Sequence, residues 1–118
     1  MAVKIKCIYE EPNRADGLRV LVTNYWPRGI RKDRISRWER ELGTSPDLIK
    51  KWKSGSINWA TFSRLFLKTV KSQKDKIMEL ASLAGKQDIT LLCTCHDGNR
   101  CHRKLLKELI EKQTGRTK

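Results

Sequence analysis

The chain has 118 residues, enough for one hydrophobic core and too few for two. Lys and Arg number 26 against 13 Asp and Glu, and the net charge of +13 favours phosphate-bearing partners, either a small molecule or nucleic acid. No apolar run approaches the roughly 20 residues that span a bilayer, so no membrane-spanning helix and no membrane partner are expected. The plainer reading of the charge is a heat-adapted surface rich in Lys and Glu. The excess is too one-sided for ion-pair networks alone.

Met1 to Lys6 alternates charged with apolar residues and has no signal-peptide core, so the chain reads as cytoplasmic. In that compartment clustered cysteines are metal ligands, reactive thiols or buried residues more often than structural disulfides. Val3, Ile5, Cys7 and Tyr9 alternate against Lys4 and Lys6, which predicts a half-buried strand over Val3 to Tyr9. Glu10 to Gly17 is polar and reads as a turn. Leu18 to Thr23 is nearly continuous apolar sequence, as in a central strand. Asn24 to Gly29 leaves regular structure, because Pro27 lacks a donor and Gly29 frees the backbone.

The middle of the chain predicts helices. Ile35, Trp38 and Leu42 recur at helical spacing before Gly43. Ser45-Pro46-Asp47 combines a capping hydroxyl, a proline at the first helical position and an acid in the first turn. Leu48, Ile49 and Trp52 would be the buried face of that helix. Asn58 caps the next, with the stripe Trp59, Phe62, Leu65, Phe66 and Val70. A further helix carries Ile77, Leu80, Ala81 and Ala84 and stops at Gly85. Asp88 to Thr94 is dense enough for a strand covered on both faces. The last helix, about His102 to Lys112, buries Leu105, Leu106, Leu109 and Ile110. The expected fold is α/β: a single domain over residues 1–113 with a small, mainly parallel sheet of three or four strands flanked by helices, and a basic tail over 114–118.

The chemistry concentrates between the last strand and the last helix. Cys93, Cys95, His96, Arg100, Cys101, His102 and Arg103 include both histidines and three of the four cysteines of the chain. Ligands in open α/β sheets gather at the carboxyl ends of strands, and a helix start there offers backbone N–H groups and a partial positive charge. Three readings follow. Cys95 or Cys101 is a nucleophile with His96 or His102 as base, and Arg100 or Arg103 holds an anion. Alternatively the loop binds a phosphate or nucleotide without covalent chemistry. The third is a zinc site from Cys93, Cys95, Cys101 and a histidine; the missing C-x-x-C knuckle counts against it, and no cofactor is expected. The cysteine-x5-arginine spacing of phosphatase loops is also missing. A structural reading leaves Cys93 buried and the rest as ordinary loop residues.

A second candidate surface is Trp26-Pro27-Arg28-Gly29, followed by Arg31, Lys32 and Arg34. Arg28 and Arg103 would grip one anion from two sides if both loops open on one sheet edge. The anion site would then use Arg19, Trp26, Arg28, Arg100 and Arg103, with Cys95, Cys101 and His102 as the reactive groups. The competing reading is a nucleic-acid-binding module without catalysis, using Arg28, Arg31, Lys32, Arg34, Lys104 and Lys107. Composition does not set the oligomeric state.

The ordered series Asp16-Gly17 with Arg19, Val20-Leu21-Val22, Trp26-Pro27-Arg28-Gly29, Ser45-Pro46 with Leu48, Lys51-Trp52, Trp59 with Phe62, and Thr90-Leu91-Leu92-Cys93 resembles the YeaO-like family, domain of unknown function 488. Cys101-His102-Arg103 is similar to a Cys-His-Arg signature of other branches. The resemblance spans nearly the whole chain, implies a compact α/β domain and assigns no activity. Where many members have an Asp-Arg pair before the Trp-Pro-Arg-Gly turn, this chain has Thr23-Asn24. Where many have a Tyr and a Glu-Leu pair after the tryptophan helix, it has Phe66-Leu67-Lys68-Thr69. These departures count against a role that needs a carboxylate before the turn, and the retained Arg19 and Arg28 point to anion binding.

Overall fold

A computed structural model describes residues 3–94 and 101–116, the last with side chains to Gln113. Strands β1 (Val3–Cys7), β2 (Leu18–Leu21), β3 (Arg37–Trp38) and β4 (Ile89–Cys93) form one sheet in the order β1-β4-β2-β3. Every pairing is parallel, as the alternation of strands with helical stretches predicts. Helices α1 (Pro46–Lys53), α2 (Trp59–Val70), α3 (Lys74–Ala84) and α4 (His102–Arg116) supply most of the remaining structure.

Strand β4 runs between β1 and β2, and all five of its residues are buried. Its alternation divides the core into two layers. Ile89 and Leu91, with Val3, Val20 and Val22, pack against Phe62, Phe66, Val70, Leu80, Leu106 and Ile110 from α2, α3 and α4. Leu92 and Leu21 face the other way, onto Ile8, Trp26, Ile30, Ile35 and Trp38. A sheet covered on both faces needs apolar side chains at successive positions, which explains the unbroken Leu91-Leu92 run.

The helix starts follow local chemistry. Ser45 accepts from the Leu48 N–H with Pro46 at the first helical position, and Asn58 accepts from the Thr61 N–H. Gly43 sits where its missing Cβ matters: a methyl there would lie 2.3 Å from the Asn24 nitrogen. Gly17 has φ +63 and would bring a Cβ to 2.1 Å from the Asp88 carbonyl oxygen.

One predicted element is corrected. Ile35, Trp38 and Leu42 do not share a helix; this stretch holds β3 between 3-10 turns at Lys32–Arg34 and Arg40–Leu42. Val20 and Leu21 pair with Arg37 and Trp38, and the Ser36 and Glu39 N–H groups donate to the Arg19 and Leu21 carbonyls at 2.9 Å each. Three apolar positions are too few to hold a helix when the open edge of β2 offers main-chain partners. The three predicted strands end one or two residues early, at Cys7, Leu21 and Cys93, and α4 extends to Arg116.

Candidate functional site

At the carboxyl ends of β2 and β4, the chain brings together residues far apart in sequence. Cys93 closes β4, Cys101 immediately precedes α4 and His102 opens it. All three are buried, and their ligating atoms lie within 4.8 Å of one another. The two sulfurs are 3.6 Å apart, too far for an S–S bond. The Nδ1 atom of His102 lies 3.7 Å from the Cys101 sulfur and 4.0 Å from that of Cys93.

The imidazole is held from two sides. Its Nε2 lies 2.5 Å from the Val22 carbonyl oxygen, which fixes the N–H on Nε2 and leaves the Nδ1 lone pair facing the sulfurs. Phe66 meets the ring edge-on, with centroids 5.4 Å apart. The cluster forms one wall of a cavity of about 360 Å³. Thr23, Asn24 and Tyr25, which follow β2, line it together with Thr44, Thr94 and the α1 residues Ile49, Lys50, Trp52 and Lys53. Tyr25 and Thr94 bridge its rim through a 2.8 Å hydroxyl–hydroxyl hydrogen bond. The Thr44 hydroxyl is buried and has no hydrogen-bond partner among the described residues.

The expected arginine grip takes a different form. Arg103 is buried, and its Nη1 donates to the carbonyls of Lys6 at 3.0 Å and Cys93 at 3.4 Å, tying α4 to the ends of β1 and β4. It does not line the cavity. Arg19 lies toward the other end of β2, where it pairs with buried Asp16 and donates Nε to the Arg34 carbonyl at 2.7 Å. Burial alone would raise the Asp16 pKa. The Asn13 N–H, Lys6 and Arg19 outweigh it and hold the carboxyl below its ordinary value. Trp26 is half-buried against Trp38 on the other face of the sheet, its indole N–H given to the Ile30 carbonyl at 2.8 Å.

Arg28, Arg31 and Lys32 are exposed, and Arg31 pairs with Asp33. Arg34, Lys104 and Lys107 are half-buried, the last paired with Glu111. Cys95, His96 and Arg100 lie outside the described residues. Of the expected reactive groups, then, Cys101 and His102 meet, and Cys93 joins them. Lys50, Lys53, Tyr25 and Thr44 were not singled out from sequence. The only signal for the lysines was the basic run Lys50-Lys51-Trp52-Lys53, which also reads as the solvated side of α1.

A family model described as the active DUF488-N3 subclade matches residues 3–114. The chain belongs to that family. It is 30% identical over 112 residues to the uncharacterized protein YeaO of Escherichia coli strain K12, covering 93% of this chain and 97% of that one. An uncharacterized protein of Mycobacterium tuberculosis strain H37Rv is 27% identical over 110 residues, covering 92% of each chain. No solved structure matches. Among the described residues, no helix is long and apolar enough to cross a membrane.

Proposed function

We propose that the cavity binds a phosphate-bearing small molecule of mononucleotide size, against a reactive floor of sulfur and imidazole. One juxtaposition carries this reading: Cys93, Cys101 and His102 line the same cavity as Lys50 and Lys53. A volume of about 360 Å³ falls at the small end of ligand pockets. Trp52, Phe62 and Tyr25 offer aromatic surface to a flat group, the two lysines offer charge to a phosphate, and the buried Thr44 hydroxyl offers a directional polar contact. The anion contacts that arginines were expected to make thus fall to lysines of α1.

Adenosine monophosphate is a suitable probe. It should raise the melting temperature of the reduced protein and slow iodoacetamide alkylation of Cys101. Lys50→Glu combined with Lys53→Glu should abolish both effects while leaving the unliganded melting temperature nearly unchanged. If neither this nucleotide nor inorganic phosphate at millimolar concentration protects the thiol, the reading fails.

The net charge of +13 and the exposed Arg28, Arg31 and Lys32 favour a second reading, nucleic-acid binding away from the cavity. Oligonucleotide affinity that falls steeply with salt and ignores Cys101→Ser would select it.

A further inference from the structure

We propose that Cys93, Cys101 and His102 bind a thiophilic divalent metal ion, zinc in the first instance. Zinc lies about 2.3 Å from a thiolate sulfur and about 2.0 Å from an imidazole nitrogen, so in a tetrahedral sphere two sulfurs stand about 3.8 Å apart and sulfur and nitrogen about 3.5 Å apart. Here the sulfurs are separated by 3.6 Å, and Nδ1 lies 3.7 Å and 4.0 Å from them. Each edge is within about 0.5 Å of the tetrahedral value.

The orientation of His102 is the second, independent observation. Van der Waals contact between two buried thiols accounts for the sulfur–sulfur edge. One thiol–imidazole hydrogen bond accounts for a single sulfur. Beyond these contacts, the imidazole presents Nδ1 to both sulfurs while Nε2 is anchored on the Val22 carbonyl. A ring whose second N–H is given to a backbone carbonyl is the arrangement that orients histidine ligands of metals. The Phe66 edge contact holds the same rotation.

Charge supports the choice of ion. Binding releases one proton from each thiol to solvent, and His102 binds neutral through its lone pair. Two thiolates and one divalent cation sum to zero, so burying the assembly avoids the penalty of an unpaired charge. Two sulfurs and one imidazole favour zinc and its softer neighbours over magnesium or calcium, which require oxygen. The missing C-x-x-C knuckle is no obstacle, because the end of β4 and the start of α4 meet in space. Three donors among the described residues leave a tetrahedral ion one further position, which in reactive zinc sites takes water or a ligand oxygen. That last point rests on the cavity being a ligand site; metal binding itself does not.

The test uses full-length protein, reduced and stripped with chelator, then titrated with cobalt(II). One ion per chain should produce thiolate-to-cobalt charge-transfer absorption and the visible bands of tetrahedral cobalt, and zinc should bleach both. Cys93→Ser or Cys101→Ser should each remove about half of the charge-transfer intensity, since one of two thiolates is gone. His102→Gln should weaken binding at least tenfold, whereas Cys7→Ser should change nothing. Lys50→Glu with Lys53→Glu should leave the cobalt spectrum intact while abolishing adenosine monophosphate binding, so failure of the cavity reading is distinguishable from failure of the metal site. Because the wild-type titration needs no variant to fold, absence of charge-transfer absorption at micromolar cobalt overturns the proposal. So does a spectrum that survives Cys101→Ser unchanged.

Discussion

Asp16→Asn should cost this protein a large share of its stability at neutral pH, and the loss should shrink in acid. Asp16 is 5% exposed and accepts from the Asn13 N–H at 3.0 Å, from Lys6 at 3.2 Å and from Arg19. Its own carbonyl receives the Thr90 hydroxyl at 2.7 Å, so the turn before β2 is fastened to β4 through this residue. The amide keeps the shape and removes the charge. That leaves Arg19, itself 7% exposed and with Nη2 already unsatisfied among the described residues, without its counter-ion. Removing one partner of a fully buried pair costs about 3–5 kcal/mol; this pair lies at the sheet margin beside a partly exposed lysine, so about 2–3 kcal/mol is expected.

Spread over 118 residues, that loss lowers the melting temperature by about 8–12 °C. Urea unfolding of both proteins from pH 7 to pH 2 is the assay. The Asp16 pKa is lowered on folding, so its contribution is complete above the unfolded value, near 3.9. It is lost as pH falls through the lower, folded value. The two proteins should therefore differ fully at pH 7 and converge toward pH 2. A difference below about 0.5 kcal/mol at pH 7, or one that stays constant down to pH 2, would refute the reasoning.

Three further predictions concern the frame around the cavity. Gly43→Ala forces a methyl against the Thr23–Asn24 backbone and should cost about 2–3 kcal/mol in urea unfolding, with Cys101 alkylated faster as that wall shifts. Leu106→Ala, at a fully buried position on α4, should cost about 3 kcal/mol, read as a lower denaturant midpoint with unchanged slope. Arg103→Lys keeps the charge but removes the guanidinium whose buried Nη1 donates to two carbonyls, and should cost about 2 kcal/mol by the same measurement. A loss below about 0.5 kcal/mol would show that Arg103 does not tie α4 to the sheet.

The sequence alone determined the elements whose signals are local and dense. The Ile89 to Cys93 run, the Ser45-Pro46-Asp47 and Asn58 starts and the stripe of α2 needed no distant partner to be legible, because burial period and capping are properties of neighbouring residues. The same locality marked Cys101 and His102, since strand and helix signals flank them. Only the tertiary structure decided the short β3, whose two residues are held by the open edge of β2 rather than by their own periodicity. It also decided the roles of the arginines. A guanidinium is drawn to the strongest unmet acceptors within reach, and for Arg19 these were a buried carboxylate, for Arg103 two strand-end carbonyls. That Lys50 and Lys53 would line the same cavity as the thiols depended on where α1 sits relative to the strand ends, which no spacing along the chain encodes.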